Sequence, residues 1–191
     1  MHIGLFFGSF NPIHIGHLSI AGYMAQFTEL EQVWFVVSPH NPLKEKKSLL
    51  KGHHRLAMVN AAIDDIFYLR ASDIEFSLPQ PSYTVNTLVH LTEKYPQHKF
   101  SLIMGSDNLQ SLDKWKNYEV ILENHFIYLY PRPGTIESKF DSHPSVILTE
   151  APQMDISSTF IRNAITKQKD VRCFMPSEAW KYLDEMNFYK T

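Results

Sequence analysis

The stretch FFGSFNPIHIGHL, from Phe6 to Leu18, joins the first apolar run of the chain to its first helical pattern. The apolar run Ile3 to Phe7 ends at Gly8, which is typical of a buried strand. Apolar residues then recur at helical spacing from Ile15 to Phe27. A strand, a glycine turn and a helix in immediate succession predict the first βα unit of a parallel α/β sheet.

Apolar runs continue to alternate with helical stretches along the rest of the chain. Further strands are predicted at Val33 to Val37, Phe67 to Ala71, Ile74 to Phe76, Phe100 to Met104, Phe126 to Tyr130 and Val146 to Leu148. Further helices are predicted at Arg55 to Ile66, at Tyr83 to Lys94, from about Ser157, and from Ser177 to Met186. This alternation predicts an α/β fold: a Rossmann-like parallel sheet with helices on both faces, formed by one domain over residues 1–191.

Composition and charge restrict the possible partners. Net charge is −2 and the isoelectric point is about 6.5, which disfavours nucleic acid as the main partner. The opening residues lack a basic leader segment, and no apolar run is long enough to cross a membrane. The one cysteine, Cys173, precludes an internal disulfide and suits a reducing compartment. We therefore expect a cytoplasmic protein without a membrane or nucleic-acid partner, and the sequence leaves open whether it forms a homo-oligomer.

Glycines and histidines in the opening stretch suit a phosphate site, because ligands of open parallel sheets bind beyond the carboxyl ends of the strands. Gly8 and Gly16 allow a ligand to approach the backbone closely, and a helix N-terminus offers free N–H groups. His14 and His17 are three residues apart, so both rings can reach one polyphosphate. Two alternatives remain open here: the histidines could be metal ligands, or ordinary residues of a helix surface.

A second candidate anion site lies in MDISSTFIRNAI, from Met154 to Ile165. Ser157 or Ser158 is a suitable N-cap, and Arg162 follows Ser158 by one helical turn. Hydroxyl, amide and guanidinium groups could therefore line the first turn of a helix and bind phosphate. An ordinary capped helix with a solvent-facing arginine is the alternative.

Both motifs resemble signatures of the nucleotidyltransferase superfamily, GSFNPIHIGH matching GxFxPxHxGH and ISSTFIR matching ISSTxxR. The resemblance implies adenylyl transfer from ATP. His14 and His17 would stabilise the transferred α-phosphate and the leaving pyrophosphate, while the second motif would hold the β- and γ-phosphates. The ATP site implied in this way contains Gly8, Ser9, Phe10, His14, His17, Gly105, Asp107, Ser157, Ser158 and Arg162, of which His14, His17 and Arg162 are assigned as catalytic.

The middle of the chain resembles bacterial nicotinate-nucleotide adenylyltransferases, which make deamido-NAD from nicotinate mononucleotide and ATP for NAD biosynthesis. The similar segments are PSYTVNTL (81–88), GSDNLQSLDKW (105–115), RPG (132–134) and VWFVVSPHNPLK (33–44). The resemblance implies that Trp115 stacks on the nicotinate, that Thr84 bonds to it, and that the Lys116 backbone meets its carboxylate. The implied mononucleotide site comprises His40, Lys44, Thr84, Trp115, Lys116 and Arg132.

Physical reasoning supports an aromatic residue in such a site, because an aromatic face attracts a flat, positively charged pyridinium ring. The alternatives are purely structural roles: a core tryptophan at Trp115, a helix cap at Thr84 and a turn residue at Asp107. Two positions depart from the family pattern. Asn11 stands where Asp is common, and Lys116 replaces a frequent aromatic residue, which could place a cation near the nicotinate carboxylate.

The expected reaction is an in-line displacement at the α-phosphorus of ATP, driven by positioning and charge stabilisation. Mg²⁺ would arrive with the ATP phosphates, so no metal site formed by the protein is predicted. Competing interpretations are a nicotinamide mononucleotide or phosphopantetheine acceptor, a non-catalytic nucleotide sensor, and a fragment of a class I aminoacyl-tRNA synthetase. The near-neutral charge and the missing KMSKS-like segment disfavour the last of these.

Overall fold

A computed structural model describes residues 1–39, 49–134 and 137–190 of the chain. Within these residues, six strands form one sheet in the order β3-β2-β1-β4-β5-β6, and every neighbouring pair is parallel. The strands are β1 (His2–Gly8), β2 (Gln32–Val37), β3 (Leu69–Ser72), β4 (Lys99–Gly105), β5 (Ile127–Tyr130) and β6 (Val146–Leu148). The helices are α1 (Ile15–Phe27), α2 (Gly52–Ile63), α3 (Thr84–Lys94), α4 (Ser106–Leu109), α5 (Tyr118–Asn124), α6 (Ser158–Thr166) and α7 (Ser177–Glu185).

Strand β1 lies at the centre, where the strand order reverses. Phe6 of β1 is in register with Phe35 of β2 on one side and with Ile103 of β4 on the other. Chain connections on the two sides of β1 leave the sheet in opposite directions, so a crevice opens beyond its carboxyl end. The predicted Rossmann-like parallel sheet is confirmed.

Side chains of the central strands alternate between two apolar clusters, one on each face of the sheet. Phe6 and Phe35 belong to the cluster that also contains buried residues of α1, α2, α6 and α7. Leu5 and Trp34 belong to the other cluster, together with buried residues of α3 and α5. Strands that are apolar on both sides are buried on both faces, which explains why they appear in the sequence as continuous apolar runs.

Two parts of the predicted secondary structure are wrong. Ile74–Phe76 forms a 3₁₀ turn and no strand, because the Phe76 N–H closes onto the Asp73 carbonyl at 2.8 Å. Ile74 buries its side chain from this turn, so its apolar character reflects packing in the core and does not indicate a strand. Helices α4 and α5 were not predicted, since each is shorter than the window over which helical spacing can be recognised.

Candidate active site

Among the described residues, the loops that carry the predicted site residues lie at one edge of the sheet. In a parallel sheet with helical crossovers, each loop that follows a strand lies at the carboxyl edge. This places the β1–α1 loop, the segment between β3 and α3, the segment between β4 and α5, and the segment between β6 and α6 side by side. The topology therefore brings to one edge of the sheet both phosphate motifs and the predicted nicotinate residues Thr84, Trp115 and Lys116.

The β1–α1 loop turns sharply at Phe10, whose φ of 44° lies in the left-handed region. The Phe10 ring is buried, and it packs edge-on against Phe35 with ring centroids 5.2 Å apart. A Cβ at Gly8 would lie 2.7 Å from this ring, so Gly8 makes room for the turn. Phe10 was predicted in the ATP site, and with its ring in the core it can offer a ligand only its backbone.

His14 and His17 stack on each other, with ring centroids 3.6 Å apart and planes inclined by 23°. His14 is the N-cap of α1, and its backbone N–H donates to Nδ1 of His17 at 3.2 Å. This bond makes Nδ1 of His17 an acceptor, so the neutral His17 ring carries its proton on Nε2. A Cβ at Gly16 would come within 3.1 Å of Nδ1 of His14, so the glycine leaves space for the stacked pair.

The His14 ring is held in its neutral form. It is only 5% exposed, and burial lowers its pKa to about 4, with a smaller contribution from the positive charge of Arg132. Its Nδ1 is enclosed against the main chain of Gly16 and His17, where the capping box of α1 lies.

The second motif contacts the first directly. Ser157 is the N-cap of α6 and accepts a hydrogen bond from the Phe160 N–H at 3.1 Å. Ser158 Oγ donates to the Pro12 carbonyl at 2.8 Å, and Arg162 Nη1 donates to the Asn11 carbonyl at 2.8 Å. The two motifs, far apart in sequence, therefore lie against each other.

Three more of the predicted site residues, Gly105, Asp107 and Arg132, lie at or just beyond the ends of β4 and β5. Arg132 donates its backbone N–H to Ser106 Oγ at 3.0 Å, and its Nε lies 4.0 Å from Asp107 Oδ1. A Cβ at Gly105 would collide with Asp107 Oδ1 and lie 3.1 Å from Arg132 Cγ. Arg132 was predicted to bind the mononucleotide, but its immediate neighbours Gly105 and Asp107 are residues predicted for ATP.

The predicted nicotinate residues lie on two neighbouring segments. Thr84 is the first residue of α3, after Tyr83 as the N-cap residue. The Lys116 ammonium lies 4.7 Å from the centroid of the Tyr83 ring, which joins the start of α3 to the segment before α5. Trp115 is half-buried against the apolar cluster on this face of the sheet. His40 and Lys44 lie outside the described residues.

Comparisons with known proteins agree on one family. Residues 5–164 match the family described as cytidylyltransferase-like. A protein of Flavobacterium johnsoniae named probable nicotinate-nucleotide adenylyltransferase is 58% identical, with both chains covered completely. A protein of the same name from Bacteroides thetaiotaomicron is 46% identical over 95% of this chain and 90% of its own. The chain belongs to the nicotinate-nucleotide adenylyltransferase family.

Solved structures support the fold assignment of this family member. A nicotinic acid mononucleotide adenylyltransferase of Plasmodium falciparum, complexed with NaAD, superposes with a TM-score of 0.82. The alignment covers 98% of this chain and 97% of that one at 21% sequence identity. The same enzyme complexed with APC gives a TM-score of 0.81. At this identity the likeness establishes the shared fold.

Two kinds of feature are absent from residues 1–39, 49–134 and 137–190 of this nicotinate-nucleotide adenylyltransferase family member. Those residues contain no group of three or more His, Cys, Asp or Glu side chains arranged to hold a metal ion. None of their helices combines the length and apolar character needed to cross a bilayer.

Sequence reasoning missed a buried arginine behind the site. Arg55, in the first turn of α2, is 0% exposed and is the largest fully buried side chain among the described residues. It donates to four main-chain carbonyls, from Leu50 at 2.9 Å, Ser9 at 2.6 Å, Ser38 at 2.8 Å and Pro39 at 2.9 Å. A signal was present, because Arg55 shares helical spacing with buried Met58, Val59 and Ala62.

Two further buried polar residues link segments that adjoin the predicted site residues. Asn11 is buried, and its Oδ1 accepts from the Tyr189 hydroxyl at 2.6 Å and from the Leu50 N–H at 3.1 Å. Glu75 is also buried and accepts from Thr87 Oγ1 at 2.9 Å, in the helix that begins at Thr84. The two Asn11 contacts join segments distant in sequence, and the Glu75 contact joins the 3₁₀ turn to α3. No local pattern indicates any of the three.

Proposed function

We propose that this protein transfers the AMP moiety of ATP to nicotinate mononucleotide, giving deamido-NAD and pyrophosphate. Family membership supports this reaction, and one structural observation carries the assignment of the site. Ser158 and Arg162 of the second motif bind the carbonyls of Pro12 and Asn11, immediately before His14. A triphosphate bound against the β1–α1 loop would therefore meet both motifs together.

In the proposed ATP site, the phosphates lie between the histidine pair and the start of α6. His17 would donate from Nε2, and the neutral His14 ring stacked on it would lie beside the phosphates. The Arg162 guanidinium, which donates to the Asn11 carbonyl, would add positive charge beside the phosphates. The assigned roles of Gly105 and Asp107 in holding the ribose and adenine are supported by their position at the end of β4, beside the β1–α1 loop.

The proposed reaction is a direct displacement. A 5′-phosphate oxygen of the mononucleotide attacks the α-phosphorus of ATP, and the bond to the bridging oxygen of pyrophosphate breaks. Because the attacking phosphate is already anionic near neutral pH, no general base is needed. Catalysis then depends on alignment and on donors that neutralise charge in the transition state.

The proposed nicotinate site lies between the first turn of α3 and the segment that precedes α5. The half-buried Trp115 would stack on the pyridinium ring, and Thr84 would hydrogen-bond to its carboxylate. The Lys116 ammonium, held over the Tyr83 ring, adds positive charge at the same place. An acid acceptor therefore suits this site better than an amide.

We further propose that ATP acts as its Mg²⁺ complex and that the protein works in the cytoplasm. Mg²⁺ commonly keeps several waters and is held through substrate phosphates, which is compatible with a site lacking a carboxylate cluster among the described residues. Cys173 is exposed and free, which suits a reducing compartment.

The test is an incubation of the purified protein with Mg-ATP and each mononucleotide, followed by measurement of dinucleotide and pyrophosphate. We expect equal amounts of deamido-NAD and pyrophosphate from nicotinate mononucleotide, and much less product from the amide. Product from phosphopantetheine alone, or nucleotide binding without turnover, would contradict the proposal. A tRNA-binding measurement at physiological salt tests the synthetase alternative in the same preparation.

A further inference from the structure

Arg55 connects the turn after β1, which is proposed to hold the ATP phosphates, to the end of the neighbouring strand β2. Its Nη1 donates to the Ser9 carbonyl, one residue beyond β1, and to the Ser38 carbonyl, one residue beyond β2. A single nitrogen therefore bridges the turn proposed to hold the ATP phosphates and the strand end next to it. Its Nη2 donates to the Pro39 carbonyl, and its Nε donates to the Leu50 carbonyl.

This arrangement is unusual because all four acceptors are neutral. Among the described residues, Arg55 forms no ion pair with a carboxylate, and its side chain is completely removed from solvent. Burying a charge without a counter-ion is costly, and here only neutral main-chain carbonyls offset that cost. Packing alone therefore gives a weak reason for an arginine here.

A positional requirement gives a stronger reason. Beyond the last pair of the β1–β2 ladder, Gly8 with Val37, the Ser38 N–H still donates to the Gly8 carbonyl at 2.9 Å. Beyond this bond, the guanidinium links Ser9 to Ser38 and Pro39 through their carbonyls. In-line displacement is sensitive to how such segments are spaced, because a misplacement of about 1 Å can reduce the rate roughly 100-fold.

We propose that Arg55 is a positioning residue for adenylyl transfer, holding the turn after β1 and the end of β2 at the spacing that aligns the two substrates. Arg55 itself lies beneath the main chain and touches neither substrate. This inference rests on the proposed function, because it requires two substrates bound beside these two strand ends.

The test compares Arg55→Met and Arg55→Lys with a matched core variant, Met58→Ala. Met58 is fully buried one turn further along α2 and shows no polar contact with either loop. Thermal unfolding is measured for each variant, and kinetics are measured well below the lowest Tm. Single-turnover amplitudes normalise kcat to the fraction of competent enzyme.

Arg55→Met is expected to lower the normalised kcat on the order of 100-fold, with both KM values within about three-fold of wild type. Arg55→Lys retains a donor that can reach part of the carbonyl set, so its kcat should lie between those of Arg55→Met and wild type. Met58→Ala should lose stability and keep a kcat close to wild type.

Two results would overturn the inference while the wild type makes deamido-NAD. One is an Arg55→Met variant with a normalised kcat near wild type, and the other is an equal kcat loss in Met58→Ala. If Arg55→Met does not fold, Arg55→Lys decides, since a folded lysine variant with unchanged kcat would also overturn it. A wild-type protein without product would instead overturn the proposed function, together with this inference.

Discussion

The imidazole rings of His14 and His17 stack 3.6 Å apart, and the Nδ1 of His17 accepts from the His14 backbone N–H. The two side chains therefore have different surroundings despite belonging to one short motif. His14 is enclosed and neutral, while His17 is half-buried and has its proton on Nε2. They should consequently differ in how they affect catalysis.

For His17, we expect the Nε2–H donor to be the important group. The side-chain nitrogen of glutamine can occupy the place of Nε2, and the oxygen of asparagine can occupy that of Nδ1. His17→Asn should therefore lower kcat about 100- to 1000-fold, the usual cost of a lost transition-state donor, with little change in mononucleotide KM. His17→Gln should lose much less. Steady-state kinetics of both variants check this, and equal losses would contradict it.

For His14, we expect a pKa near 4 in the free protein and a higher pKa once ATP phosphates lie beside the ring. Histidine NMR titrations with and without nucleotide measure both values. His125 is a suitable control, because burial also lowers its pKa, while its Nδ1 donates to the Phe100 carbonyl at 2.9 Å, at the opposite edge of the sheet. A His14 pKa that does not respond to nucleotide would contradict the proposed contact.

The same low pKa predicts a pH dependence of stability. The His14 pKa is about 4 in the folded chain and about 6.5 when the chain is unfolded. Between these values only the unfolded state takes up the proton, so the free energy of unfolding should fall as pH decreases through this window. Urea denaturation of wild type and His14→Asn between these pH values tests this, and the variant should show the weaker dependence.

For Arg162, we expect an effect on the use of ATP. Arg162→Lys keeps the charge but loses the planar fork, and a hydrogen bond to a charged group is worth about 1.5–3 kcal/mol. The KM for ATP should therefore rise by roughly ten-fold or more, with the mononucleotide KM nearly unchanged. Arg172→Lys is the control, since Arg172 is exposed and pairs with Asp170. A selective rise in the mononucleotide KM would place Arg162 at the other substrate.

For Lys116, we expect an effect on the choice between acid and amide. The exposed ammonium near Tyr83 should favour nicotinate mononucleotide modestly, as exposed ion pairs are worth about 0.2–1 kcal/mol. Lys116→Gln should lower kcat/KM for the acid about two- to five-fold and leave the amide value unchanged. Lys114→Gln, two residues earlier in an exposed turn, should alter neither. Equal effects on both acceptors would show that Lys116 does not discriminate between them.

Continuous apolar runs made the strands predictable, because a sheet buried on both faces leaves little room for polar alternation. Strand β6 has the bounds that were predicted, and α1 begins at the predicted Ile15. The strand predicted at Ile74–Phe76 is wrong because two apolar residues flanking Glu75 satisfy strand and 3₁₀ patterns equally. Such a short run has no periodicity to separate the two.

The phosphate motifs were predictable because each is local, with its functional groups inside one loop and helix turn. Arg55 and Asn11 were not, since their partners lie at Leu50, Ser38 and Tyr189. The placement of Arg132 beside Asp107 likewise depends on how β4 and β5 pair. Local patterns identify which groups do chemistry, whereas contacts between loops determine how those groups are held.

The hydrogen bond from Tyr189 to Asn11 spans 178 residues of sequence. During synthesis on the ribosome, the β1–α1 loop can pair with its strand neighbours long before residue 189 has been added. The Tyr189 hydrogen bond to this loop can form only after α7 and the residues that follow it have been synthesised. The nucleotide-binding loop therefore gains its contact with Tyr189 only after every strand of the described sheet has been synthesised.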